Sequence, residues 1–236
     1  MEILCTICAR GGSKGIPNKN IKKLGNKSLI GHTIEVAKKW DQFSEIVVST
    51  DDEKIKEEAL NYNVLVPFKR PNYLANDEVS RIEAVKHALN FMEDDLDKNY
   101  DYIVDLSVTS PFRKVEDIEG AFKVLKNNPE ANNVYTVCES DRNPYFNMVE
   151  INEDGYTELV KSNEKNISAR QQAPKVYAMN DSINIFKRDF LIKDATNQSN
   201  KTKAYVMPRE RSVDIDHPLD FKFAEFLIKE KGQLYE

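Results

Sequence analysis

The chain has 236 residues, 40% hydrophobic and 31% charged, with a formal net charge of −5. That length holds one large α/β domain, with or without a small appendage, and the acidic balance argues against a nucleic-acid partner. The first apolar run meets Arg10 too soon to be a signal sequence or a membrane span, so the expectation is a cytoplasmic protein with no membrane partner.

Ile3 to Cys8 reads as a buried strand. The loop behind it carries Arg10, Lys14 and Lys19 with Gly11, Gly12 and Gly15, three of the chain's eight glycines. Glycine lets backbone amides come close to a ligand. Amides with three cations make a site for several negative charges, and a polyphosphate fits best. The spacing is neither GxxxxGK[ST] nor GxGxxG. A basic surface turn would account for the charge but not for the glycines. Cys5 and Cys8 have CxxC spacing, which raises a redox or zinc reading. Residues three apart on a strand point to opposite faces, so the two sulfurs do not converge. They and Cys138 read as structural cysteines.

Residues 28–40 have helical periodicity, with His32 as a packing residue. A strand over 45–50, a helix over 53–62 and a strand over 64–68 follow. This alternation is the βαβαβ half of a doubly wound, mostly parallel sheet. A loop from Lys69 leads to a helix over 79–92, on which His87 is expected to be exposed. Residues 93–97 read as a solvated acidic run. A strand over 102–108 ends in Thr109-Ser-Pro-Phe-Arg113, at the sheet edge where open α/β folds bind ligands. A helix over 115–127 and a strand over 133–139 come next. From about Arg142 the alternation breaks into a hairpin, 145–151 and 156–160 around a turn. Residues 161–172 read as loop, 176–186 as extended, 204–208 as a last strand and 219–231 as a closing helix. The expected fold is one α/β domain over 1–236 with an insert at about 140–175.

Asp214 and Asp216 are two apart in a segment read as extended, so both carboxylates face one way. Facing carboxylates repel unless a cation lies between them, and Mg²⁺ typically takes one or two carboxylates plus substrate phosphates. A solvated edge pair would look the same, and the phosphate loop brings the two readings level. Arg70, Asn76, Asp77, Ser80 and Arg81 form a set suited to a base or ribose. Arg170, Gln171 and Gln172 with Tyr177, Asn180, Asp181 and Ser182 form another. Arg170 has the geometry to hold a carboxylate, and the amides and hydroxyls could hold a sugar. Solvated loops would also carry such residues. The residues alone reach an α/β enzyme acting on a nucleotide polyphosphate with Mg²⁺, with base and acceptor open.

Ala9 to Asn20 resembles the N-terminal motif of the N-acylneuraminate cytidylyltransferases, the CMP-sialic acid synthetases. Arg70-Pro-x-x-Leu-Ala-x-Asp77, Thr109 to Arg113, Arg170-Gln-Gln-x-Pro174 with Tyr177-x-x-Asn180, and Ser212 to Asp216 follow in that family's order. The pattern is most similar to the bacterial branch handling legionaminic acid. The resemblance implies a Rossmann-like nucleotidyltransferase with a mostly parallel sheet and a small dimerisation insert, hence a homodimer. It implies that CTP and a nonulosonic acid give a CMP-sugar and pyrophosphate, for bacterial surface glycans. By the same resemblance Arg10, Lys19 and Asp216 are catalytic, and Asp214 and Asp216 hold Mg²⁺. CTP falls to Arg10, Gly11, Gly12, Ser13, Lys14, Lys19, Asn20, Arg70, Asp77, Ser80 and Ser107. The sugar falls to Arg142, Arg170, Gln171, Gln172, Tyr177 and Asn180. The chain departs from many relatives at Ser107, where they carry Gln, and at Asn180-Asp181-Ser182, where they carry Asn-Gly-Ser. These differences leave the reaction class intact and the exact sugar open. A 3-deoxy-octulosonate cytidylyltransferase is the alternative enzyme, disfavoured by Arg170-Gln-Gln. A nucleotide-sugar-binding protein without turnover is disfavoured by the intact Arg10, Lys19, Asp214 and Asp216.

Overall fold

Alternation along the first strand sets the two faces of the fold. In β1 (Ile3–Cys8) the side chains of Ile3, Cys5 and Ile7 enter one apolar cluster and Leu4 the other. The structure, a computed structural model, describes residues 1–161, 169–194, 196 and 198–231. After β1 come the short β2 (Lys23–Leu24) and β3 (Lys27–Ser28), α1 (Leu29–Lys38), β4 (Glu45–Ser49) and α2 (Glu53–Leu60). Then follow α3 (Arg81–Leu96), β5 (Tyr102–Leu106), α4 (Val115–Lys126) and β6 (Asn133–Glu139). The hairpin is β7 (Val149–Ile151) and β8 (Thr157–Leu159). The chain continues through β9 (Tyr177–Lys187), α5 (Arg188–Asp194), β10 (Thr202–Val206) and α6 (Pro218–Lys231). The starts of α1, α2 and α3 coincide with side-chain caps. Ser28 accepts from the Gly31 amide, Asp52 from Lys54 and Ile55, and Ser80 from Ile82.

Six strands form the central sheet in the order β10-β6-β9-β5-β1-β4. β1 is parallel to β4 and β5, and β10 is parallel to β6. β9 lies antiparallel between β5 and β6. Ile82, Val85, Leu89 and Met92 of α3 pack with Phe190 and Leu191 of α5 on one face. Apolar residues of α1, α4 and α6 cover the other. The fold is therefore the expected mostly parallel, doubly wound α/β sheet. Among the described residues no helix is long and apolar enough to cross a membrane.

Several local expectations are corrected. Residues 64–68 form no ladder strand: Leu65 makes a single bridge to Val47. Pro67 has no N–H to extend the pairing. His87 is half-buried, its ring edge-on to Phe68 at 4.8 Å. Glu93 is not merely solvated, since it takes a fork of hydrogen bonds from Arg188 at 2.7 and 2.8 Å. Asp214 and Asp216 lie outside any strand. The helix α5 had no sequence expectation. Cys5 is buried in one cluster and Cys8 packs against the other, so the sulfurs diverge as the strand period requires.

Candidate active site

The loops that leave β1 and β5 meet the loop before α3 at one edge of the sheet and line a cavity of about 610 Å³. Its wall takes Arg10, Ser13, Lys14, Gly15, Lys19 and Asn20 from the glycine-rich loop. Arg70, Asp77, Ser107, Asp214 and Asp216 also line it. The N-terminal loop and the C-terminal acid pair, far apart in sequence, are thus in one site. Gly11, Gly12 and Ser80 are not on the wall. Ser80 is spent as the cap of α3, and the Gly11 amide donates to Asp51 Oδ1 at 3.0 Å.

The cations of the loop are held by carboxylates. Arg10 Nη1 donates to the Asn76 carbonyl at 2.8 Å, and Arg10 and Lys14 both pair with Asp77. Lys14, then Arg10, holds the Asp77 carboxyl below its usual range. Lys19 Nζ, largely shielded, donates to the Ile215 carbonyl at 2.8 Å and to Asp216 Oδ1 at 3.0 Å. Gly15 sits against the Asp216 carbonyl so closely that a Cβ there would fall 2.3 Å from its oxygen. Asn20 Nδ2 donates to the Arg10 carbonyl at 2.9 Å and shapes the loop from inside. Arg70 is buried, with Nε donating to Ser49 Oγ at 3.0 Å. Ser107 and Thr109 share a hydroxyl contact of 2.9 Å.

The acid pair is asymmetric. Asp216 is exposed, whereas Asp214 is largely buried and its Oδ1 has no hydrogen-bond partner. Burial first, then the charges of Asp216 and Asp181, push the Asp214 carboxyl up to about 6 against opposing effects of Thr109 and Lys19.

The residues expected to hold a sugar divide. Asn180 is buried, and its amide is used within the protein by Thr136, Ser182 and Ser212. Within one chain Arg142, Arg170, Gln171, Gln172 and Tyr177 are exposed and not on the cavity wall. Arg170 donates to the Ser140 carbonyl at 3.2 Å and pairs with Asp141 at 3.4 Å.

A family model described as cytidylyltransferase matches residues 4–236. The chain belongs to the cytidylyltransferase family. It is 44% identical over 231 residues to the post-translational flagellin modification protein B of Campylobacter coli, covering 98% of this chain and 97% of that one. It is 42% identical, over the same shares, to the CMP-N,N'-diacetyllegionaminic acid synthase of Campylobacter jejuni. Among solved structures, a CMP:2-keto-3-deoxy-manno-octonic acid synthetase complexed with CTP superposes with a TM-score of 0.70. That match covers 98% of this chain and all of the other at 16% identity, a likeness of fold.

This cytidylyltransferase also uses a charge that sequence reasoning did not single out. Asp105 is buried in the middle of β5, where it accepts from Thr6 Oγ1 at 2.9 Å and pairs with Arg81 Nε at 2.8 Å. Arg81 lines the cavity, so the pair ties α3 to the sheet beneath the site. Burial raises the Asp105 carboxyl, and Arg81 opposes that rise. The available signal was an acid inside the apolar run Tyr102–Leu106. Arg113 is buried behind the same edge, where it donates to the carbonyls of Ser107 and Ser110. Burial pushes its guanidinium down to about 9.

Proposed function

We propose that the chain activates a nonulosonic acid of the legionaminic or sialic type with CTP, releasing pyrophosphate and a CMP-sugar. The observation that carries this reading is the meeting of Lys19 with Asp216 on the wall of a cavity that also holds Arg10 and Lys14. A triphosphate needs the cations, and the departing pyrophosphate needs charge opposite it. Arg10 and Lys14 release Asp77 as phosphate oxygens replace its carboxylate, so the cations are pre-positioned before the nucleotide arrives. Lys19, held by two acceptors, keeps its ammonium at the junction of the loop and the acid pair. The anomeric hydroxyl of the sugar then attacks the α-phosphorus in line, and no protein nucleophile is required.

The acid pair fits Mg²⁺. Asp214 offers a buried oxygen with no hydrogen-bond partner, and Asp216 offers an exposed carboxylate. Among the described residues no group of three or more His, Cys, Asp or Glu could hold a metal, so phosphate oxygens would complete the shell of an ion on these two carboxylates. When bound, such an ion neutralises charge on the α-phosphate.

Legionaminic acid is the preferred acceptor in this reading, supported by the activity for which the Campylobacter jejuni relative is named. The enzyme acts as a homodimer. Ile151 and Tyr156 of the hairpin region are 70% and 72% exposed in the single chain, and contact with a second copy would cover them. It would also bring Arg142 and Arg170 toward the partner's cavity. The test is pyrophosphate release from CTP and Mg²⁺ with a panel of sugar acids. Release with legionaminic acid and weaker release with sialic acid are expected. No sugar-dependent release, or release only with 3-deoxy-octulosonate, would overturn the reading.

A further inference from the structure

The strand β9 does not run straight past β6. Tyr135 pairs with Asn184 and Val137 with Met179, so Thr136 alone stands opposite the stretch from Asn180 to Ile183. The surplus residues form a wide bulge at the cavity edge, and bulges beside active sites re-aim side chains. This bulge is clasped from within. Thr136 Oγ1 donates to Asn180 Oδ1 at 2.6 Å and accepts from the Ile183 amide at 3.0 Å. Asn180 Oδ1 also accepts from the Ser182 amide at 3.2 Å, and Asn180 Nδ2 donates to Ser212 Oγ at 2.9 Å. Thr136, Asn180 and Ser182 are all buried.

Asp181 stands between the clasped residues. Its backbone is left-handed, with φ 50°, a conformation that residues with a Cβ rarely adopt and that persists where the surroundings over-determine it. Its side chain is exposed and lies on the cavity wall. Asp214, Arg81 and Asp105 each feel its charge, and Asp214 and Arg81 share the cavity wall with it. A carboxylate so placed repels phosphate oxygens, and its natural partners are N–H and O–H donors.

We propose that Asp181 is a specificity-determining residue for the acceptor: the Thr136–Asn180 clasp presents its carboxylate to amide N–H or hydroxyl groups of the sugar acid. This rests on the reading of the chain as a nonulosonic acid cytidylyltransferase. Asn180, expected from the sequence to touch the sugar, is on this view the positioning residue behind Asp181.

The backbone conformation makes the test clean, because Asp181→Gly removes the carboxylate where glycine is at ease. Asp181→Asn keeps the size and loses the charge. Steady-state pyrophosphate release is measured on the full chain, varying the sugar acid at saturating CTP and then CTP at saturating sugar acid. Asp181→Gly should lower kcat/KM for the sugar acid about tenfold or more, the scale for a lost hydrogen bond to a charged group. Asp181→Asn should fall between Asp181→Gly and wild type. KM for CTP should stay within about twofold in both, and Tm should not fall. A sugar kcat/KM within about twofold of wild type in Asp181→Gly overturns the proposal. A rise in KM for CTP matching the loss overturns it too, placing Asp181 against the ribose. If the wild-type chain transfers CMP to no sugar acid, the functional reading fails, and this proposal with it.

Discussion

Gly15→Ala isolates the geometry that joins the two ends of the chain. The added Cβ would sit 2.3 Å from the Asp216 carbonyl oxygen, where ordinary contact begins at 3.4 Å. The neighbour is backbone, so the two segments must separate by about 1 Å to reach that contact distance. Lys19 now reaches the Ile215 carbonyl at 2.8 Å and Asp216 Oδ1 at 3.0 Å. A separation of about 1 Å takes both beyond hydrogen-bonding range. Misplacement on that scale costs about a hundredfold in rate, or about 2.7 kcal/mol of transition-state stabilisation. Gly15 is exposed, outside both apolar clusters, so Tm should drop by only a few degrees. Gly12→Ala is the control, because a Cβ there meets nothing within 4 Å. The assay is pyrophosphate release at saturating CTP and sugar acid, with kcat/KM for CTP measured in parallel. Gly15→Ala should lose about a hundredfold while Gly12→Ala stays within about threefold. A Gly15→Ala enzyme within about threefold of wild type, or equal losses in both variants, would refute the claim that this approach positions Lys19.

Two further outcomes follow from the hairpin and from the acid pair. Light scattering at micromolar concentration should give twice the 27.2 kDa chain mass, and the double variant Ile151→Ser, Tyr156→Ser should move it toward one chain. A monomeric wild type would remove the homodimer. The Asp214 carboxyl titrates near 6 in the folded chain against an ordinary 3.8, so the native state keeps a proton that the unfolded state has lost. Stability in metal-free buffer should therefore fall as pH rises from about 4 to about 6, with the full penalty present above that window. Asp214→Asn should flatten this part of the urea-midpoint profile, and an unchanged profile would show that Asp214 is not strained by burial.

Local signals were legible in the residues themselves. Alternation in β1 put Cys5 and Cys8 on opposite faces, and helical periodicity over 28–40 located α1. The cluster of Arg10, Lys14 and Lys19 among glycines pointed to a site for negative charge, and the ordered motifs from Ala9 to Asp216 carried the resemblance to the family. These properties depend on a residue and its near neighbours, or on a pattern written along the chain. What only the tertiary structure decided depends on register between distant segments. No local pattern distinguishes Gly12 from Gly15, because the difference is a carbonyl oxygen contributed by Asp216 from the far end of the chain. Asp105 reads as an oddity in an apolar strand until Thr6 and Arg81 are placed beside it. Residues 176–186 read as extended, yet their antiparallel place between β5 and β6 needed both partner strands. The bulge there turns Asn180 inward and Asp181 toward the cavity. Hydrogen-bond register across strands fixes which of two adjacent polar residues is buried, and that register is a property of the assembled sheet.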